Sequence, residues 1–407
     1  SSNPSLENVT ISGNSASYNG GGMFCASSNP TLTNVTFSGN TASIDGDGVY
    51  CGSSSSPILM NSILWDNGTQ EVFLSGASDT ITVAYSDVQG GQDSIVINNN
   101  GTVTWGSGNI DVDPMFVDPA NGNYHLLATS QCINGGHPDS LDSDGTVADM
   151  GAYYYHNEYS GPTWYIAESG NDTTATGASD DPFRSIQAGI NFSSDDDSVT
   201  VAAGTYVENI NFRGRNIEVV GVDRETTIID GNQAGTVVIF ENGESNLALL
   251  NGFTITNGSY EDAGGGIYCY ESNCTFSDLV VANNYTNGEG GGLYCYQSYN
   301  VNLQNVIFVN NTARKGGGIA SISSSLNINR SVFHDNSTFD QGGGGIYNTY
   351  SNLNILNSTI TGNSASSVGG GGIWVQTNES IPMYLVNCVV WGNNNGQIDG
   401  TGLEGVY

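Results

Sequence analysis

The chain runs to 407 residues and carries 40 acidic against 7 basic side chains, a formal net charge of -33, although only 12% of its residues are charged. Such one-sided charge repels phosphate backbones and anionic headgroups, which excludes nucleic acid and anionic membrane as partners and leaves divalent cations and neutral or cationic ligands open. Hydrophobic residues make up 37% in short β-branched runs such as 217–220 and 236–240, as in a folded chain. No apolar run approaches the roughly 20 residues that span a bilayer, so no transmembrane segment is expected.

Two short patterns alternate along the chain. The first is a glycine cluster followed by an aliphatic and usually an aromatic residue, at 20–24, 46–50, 264–268, 290–294, 316–320, 343–347 and 370–374, with a step of 26 or 27 residues inside each run. The second is a strand ending in asparagine, at 8–14, 34–40, 61–67, 278–284, 305–311, 330–336, 357–363 and 387–393. Its apolar residues alternate, as Val9 with Ile11, Val35 with Phe37 and Ile63 with Trp65, which is the period of a strand with one buried face.

A coil of about 26 residues cannot bury its apolar side alone. Stacking coils about 4.8 Å apart gives a continuous core and pairs each strand with its equivalent in the next coil. Glycine permits corners with positive φ, and asparagine at a fixed corner can hydrogen-bond its counterpart. Leucine-rich repeats would need a leucine consensus, and propellers need blades of about 40 residues. The pattern therefore predicts an all-β parallel β-helix, with Ile267, Leu293, Ile319, Ile346 and Ile373 in one inward file.

In chain order, residues 1–85 read as coils of a first β-helix. Residues 86–158 lose the period and read as a closing cap, and 159–163 as a linker. Residues 164–197 read as an N-terminal cap with one short helix, capped by Asp181 with Pro182 first inside it, and with Phe183, Ile186 and Ile190 on one face. Coils resume at Ser198 and run to 407 as a second β-helix without a closing cap. Residues 324–393 align with 4–67 at an offset of 320–326, Leu326 falling on Leu6, Asn336 on Asn14, Asn363 on Asn40 and Trp391 on Trp65. The expectation is an excerpt of a tandem array, or a head-to-tail filament in which one copy's last coil docks on the next copy's first.

The Gly-Gly-Gly-Ile pattern with Phe37–Asn40, Phe308–Asn311 and Phe333–Asn336 resembles the repeats of chlamydial polymorphic outer-membrane proteins and related bacterial surface β-helices. That resemblance implies right-handed coiling and a secreted, cell-surface or extracellular location. The run 109–118, with 124–126, 130–133 and 149–153, resembles the C-terminal closing segment of secreted choice-of-anchor β-helix proteins. Val147 stands where that family often has arginine.

Four sets of side chains are candidate sites. Cys25 and Cys51, and likewise Cys269 and Cys295, fall at equivalent places on adjacent coils within disulfide reach, a buried thiol stack being the alternative. Cys132, Cys274 and Cys388 have no evident mates. Phe24 and Tyr50, then Tyr268, Tyr294, Tyr347 and Trp374, form outward columns that would stack on sugar faces or on one another. Asp139, Asp142, Asp144 and Asp149, with Asp111, Asp113 and Asp118 nearby, crowd the cap on turns that suit Ca²⁺, without the full EF-hand loop. Sequons at Asn8, Asn34, Asn67, Asn171, Asn257, Asn284 and Asn357 are glycosylation candidates.

No cofactor is required by any motif. A lyase would need a lysine or arginine base beside a carboxylate cluster; the only basic residues on the regular coils are Arg314, Lys315 and Arg330, and Arg314 and Lys315 have no dense carboxylate group beside them in sequence. A hydrolase would need paired carboxylates, and Asp278, Glu289 and Asp335 are scattered; His125, His137, His156 and His334 form no base–nucleophile set. The chain reads as an extracellular structural or adhesive module rather than an enzyme, with neighbouring repeats and glycans as partners. The alternative is a β-helix that binds or degrades polysaccharide.

Overall fold

The computed structural model describes residues 2–366, 369–376 and 383–401. They form a parallel β-solenoid of about 15 turns with a single helix. The chain divides into two compact units, residues 1–160 with 172–174 and residues 161–171 with 175–407.

In the second unit, long parallel sheets run the length of the stack, and each strand pairs with its equivalent one coil on. One sheet carries the expected inward file: Ile267 pairs with Leu293, Leu293 with Ile319, Ile319 with Ile346 and Ile346 with Ile373. All five are buried. A second file holds Phe276, Leu303, Ile328 and Ile355 in register, and a third Val281, Phe308, Phe333 and Ile360. The glycine clusters lie where the backbones of adjacent coils meet. A Cβ on Gly292 would stand 2.6 Å from the Gly318 carbonyl oxygen and 2.8 Å from the Phe308 ring, so no larger residue fits.

The two asparagines of the strand motif do different work. The leading one is a left-handed corner: φ is 55° at Asn8, 52° at Asn34, 56° at Asn305 and 51° at Asn357, with Asp278 at 51° and Arg330 at 52°. Asn and Asp tolerate this region better than most side chains. The closing asparagine is interior. Asn284 Nδ2 donates to Asn311 Oδ1 at 3.0 Å, Asn311 to Asn336 at 3.0 Å, Asn336 to Asn363 at 2.9 Å and Asn363 to Asn393 at 2.9 Å. Each backbone N–H in the series donates to the same oxygen, and each amide also reaches back to a carbonyl of the coil before, as Asn336 Nδ2 does to Phe308 at 2.9 Å. In the first unit the ladder runs Asn14, Asn40, Asn67.

Both ladders end on a side chain four residues beyond the last asparagine. Asn393 donates to Gln397 Oε1 at 2.9 Å, and Asn67 donates to Glu71 Oε2 at 2.7 Å. Glu71 is buried, and burial pushes its carboxyl up to about 7 from 4.5, against the pull of the two Asn67 hydrogen bonds.

The first unit departs from the expected boundary at 85. Coils continue through Asp87–Val88, Ile95–Ile97 and Thr102–Trp105, which pair with Ile63–Trp65, Val72–Leu74 and Thr80–Ala84. The step shortens to 22–24 residues (Thr80 to Thr102, Ile63 to Asp87), which hid the period from the sequence. Past these coils the chain turns back as a strap along the stack. Cys132 Sγ donates to Asp87 at 3.4 Å, the His137 and Gly151 N–H groups donate to Asn61 at 2.8 Å, and the Ala152 N–H donates to Thr36 Oγ1 at 2.9 Å. The strap thus steps down three successive coils and buries Ile63, which the register sets beside Thr36 on the outward side with Leu64 in line with Phe37, one residue off the inward Ile63 and Trp65 that alternation predicts.

In the second unit the helix α1 spans Ile186–Phe192, with Ser185 rather than Asp181 at its N-cap. Phe183 lies outside it, bridged to Ile166, and Asp181 Oδ2 instead accepts the Thr176 N–H at 2.9 Å. The first helical N–H groups are taken by a distant carboxylate, Glu208, at 2.8 and 3.0 Å. Phe183, Ile186 and Ile190 are fully buried, as their spacing requires. The expectation that the second β-helix lacks a closing cap concerns residues up to 407, and 402–407 lie outside the described residues.

The ladders have two consequences for stability. Between pH 4.5 and 7 folded Glu71 keeps a proton that the unfolded chain has released, so stability falls as pH rises through that window. Glu71→Gln, which copies Gln397, should therefore leave stability at pH 4 unchanged and raise it at pH 8 by about 3 kcal/mol, read as a flatter pH profile of the first unit's thermal transition. Asn336→Ala strands two donors of Asn311 and the Phe308 carbonyl and should cost roughly 3 kcal/mol in urea melts, whereas Asn357→Ala at an exposed corner should cost about 1 kcal/mol.

Candidate functional site

The outer face of the second unit carries a groove of about 630 Å³ lined by Ile239, Glu241, Tyr260, Asp262, Tyr268, Glu289, Tyr294 and Arg314 among others. Its floor is the outward side of the sheet that holds the inward isoleucine file. Alternation puts Ile239, Tyr268 and Tyr294 on that side, and the register places them on successive coils.

Tyr268 and Tyr294 stack face to face at 5.5 Å, and Tyr270 and Tyr296 beside them at 5.4 Å. The Phe24, Tyr50 and Phe73 column of the first unit stacks likewise at 5.0 and 5.7 Å. Rings in such columns spend their faces on each other and turn their edges outward. Tyr347 presents nothing: it is 2% exposed, and its hydroxyl donates to Gln376 Oε1 at 2.7 Å. Trp374 comes next in register and is half-buried. Of the four candidate sugar-stacking residues, only Tyr268 and Tyr294 line the groove.

Between Tyr294 and Tyr347 the column has Ala320. Lys315, on the Ala320 coil, bridges this rung: its Nζ lies 5.1 Å from the Tyr347 ring centroid and 3.1 Å from Glu289 Oε1. Arg314 also reaches Glu289, at 3.4 Å, and Asp340 at 3.9 Å. The carboxylates missing beside Arg314 and Lys315 in sequence are thus one coil away in space. They neutralise both cations rather than leaving a free base. Burial, and then the Glu289 charge, pushes the Tyr294 hydroxyl well up.

The acidic residues of the first unit do not converge. Asp149 is buried and accepts the Asn134 and Tyr155 N–H groups at 2.7 Å each, while Asp142 accepts the Asp149 N–H at 2.8 Å and Asp144 the Thr146 hydroxyl at 2.7 Å. Asp139 is exposed, Asp111 accepts the Gly90 N–H from 21 residues away, and Asp113 and Asp118 accept from the nearby Met115 N–H and Asn121 side chain. Among the described residues no group of three or more His, Cys, Asp or Glu is placed to hold a metal ion, so the structure gathers no carboxylate cluster at the Ca²⁺ positions expected from the sequence. These oxygens pin the strap instead. Burial pushes Asp149 well up and Asp142 up to about 6.

Cys25 pairs in register with Cys51 and Cys269 with Cys295, and all seven cysteines are free thiols in the structure. Cys274, without a mate in sequence, has its sulfur 3.5 Å from that of Cys269. Burial pushes the Cys274 and Cys295 thiols well up, so both stay protonated. Asp278 and Asp335 are left-handed corners on separate coils, away from Glu289. His125 stacks on Tyr153 at 4.3 Å, His137 packs edge-on against Tyr85 at 4.7 Å, and His334 Nδ1 lies 3.2 Å from its neighbour Asp335. Sequence reasoning missed Glu241, Tyr260 and Asp262, which lie outside the repeated motifs.

Residues 1–113 match a family model described as a right-handed β-helix region, and residues 168–214 match a family described as a protein of unknown function, DUF1565. No curated protein and no solved structure matches the chain. The first match gives the hand of the coiling, in line with the parallel stack.

The sequons separate by burial. Asn67 and Asn284 are ladder residues 1% exposed, with their amide hydrogens committed, whereas Asn8, Asn171 and Asn357 are exposed. Expressed through a eukaryotic secretory pathway, the protein should carry glycan at exposed sequons and none at Asn67 or Asn284, as read by peptide mass spectrometry.

Proposed function

We propose that the chain is an extracellular adhesive module: a rigid β-solenoid that displays a carbohydrate-binding groove on the outer face of its second unit. The observation that carries this is the groove itself. Tyrosines lie on its floor and carboxylates on its rim, on a scaffold whose interior asparagines are spent on neighbouring coils. Aromatic floors with a few convergent polar groups are the usual make-up of ligand sites. The match to a right-handed β-helix region and the surplus of negative charge support a secreted or cell-surface setting. No helix among the described residues is long and apolar enough to cross a membrane. A tandem array or filament of such modules would multiply weak sugar contacts into firm attachment.

The test is retention under flow. Beads coated with the protein should hold to films of neutral and amino polysaccharides and release from albumin films. Equal release from every film would sink the adhesive reading, and solubilised sugar products would replace it with a degradative one.

A further inference from the structure

The tyrosine block has one open end. Tyr268 and Tyr270 lie side by side, centroids 6.2 Å apart and 3° from parallel, as a shelf two rings wide. Tyr294 and Tyr296 cover one side of it. On the other side the register pairs Tyr268 with Ile239, an aliphatic residue too small to cover a phenol ring, so that face looks into the groove.

The charges around this face are unequal. Arg314 is drawn to Glu289 at 3.4 Å and Asp340 at 3.9 Å. Glu241 and Asp262 are exposed and have no ion-pair partner among the described residues. Glu241 Oε1 accepts only a neutral hydrogen bond, from Asn211 Nδ2 at 3.0 Å. Both carboxylates act on the shelf: the Tyr268 hydroxyl is pushed up by burial first, then by Glu241, with Asp262 adding to it.

Resting on the adhesive reading above, we infer that the groove takes an amino sugar, with the pyranose C–H face on Tyr268 and its ammonium facing Glu241 and Asp262. Ammonium groups are attracted to carboxylates and to the faces of aromatic rings alike. A uronic acid polymer would bring its own carboxylates against the same two residues and be repelled. The class is therefore glucosamine-type polymers rather than pectin-type ones.

Titration calorimetry of the full chain with three hexamers tests this: β-1,4-linked glucosamine, its N-acetylated form, and galacturonate, at a mildly acid pH that keeps the amines charged. The glucosamine hexamer should bind about tenfold tighter than the N-acetylated one, and galacturonate should not bind. Glu241→Gln with Asp262→Asn, exposed positions that do not hold the fold, should erase the tenfold preference, as should high salt. Tyr268→Leu, with its fold checked by circular dichroism, should weaken both amino-sugar hexamers. Equal affinity for the two, a preference that survives the double variant, or tight galacturonate binding overturns the amino-sugar inference and leaves adhesion standing. If the unaltered chain binds none of the three, both ideas fall.

Discussion

Everything in this molecule depends on strict register between coils. A parallel stack in which each strand meets its own equivalent aligns like with like, so any polar group turned inward must be able to pair with a copy of itself. The carboxamide does this: it carries both donor and acceptor, and a column of asparagines satisfies every member except the last. The buried ladder from Asn284 to Asn393 is that solution. A carboxylate in the same column would meet another carboxylate, and a lysine another ammonium. This is why so acidic a chain keeps its repeated interior positions uncharged.

The ladder's direction also fixes what its end must be. The last asparagine has donors left over and needs an acceptor that belongs to no further coil. Gln397 and Glu71 supply one from the turn immediately after. Glutamine does so without charge. Glutamate makes two hydrogen bonds but sits where burial opposes its ionised form, so the first unit ties its stability to pH at a place where the second does not. Asp87 and Asp149 extend that dependence through the strap, since burial pushes the first up to about 8 and the second well up.

Periodicity made the fold legible. The inward file, the left-handed corners and the closing asparagines all recur at fixed spacing, and each repetition multiplies a signal too weak to read once. Where the spacing changed, the sequence went quiet. Coils at Ile95–Ile97 and Thr102–Trp105 shortened their step and passed for a cap. The helix start was misplaced because Asp181 and Pro182 fit a capping pattern locally, while the actual partner for the first N–H groups, Glu208, stands 22 residues from Ile186. The aromatic columns were visible, but not that stacking would consume their faces or that Tyr347 would be covered. The serine ladder that links Val306, Ser331 and Ser358 hid in a composition already rich in serine.

The groove lies where one column fails to repeat at two of its rungs. At one end the tyrosine column drops to Ile239 and uncovers a ring. At the other Ala320 leaves a rung that Lys315 spans, paired with Glu289 and lying over Tyr347. A solenoid whose every column repeated would present one uniform surface along its length, with nowhere for a ligand to settle in preference to anywhere else. Specificity on such a scaffold must come from interruptions. The same positions that break the pattern gather Arg314 and Lys315, two of only seven basic residues in the chain. Because Glu289 and Asp340 hold those cations, the carboxylates left facing the open ring are Glu241 and Asp262. The local sign of charge is therefore set by which acids the interruption leaves unpaired, and not by the net charge of the molecule.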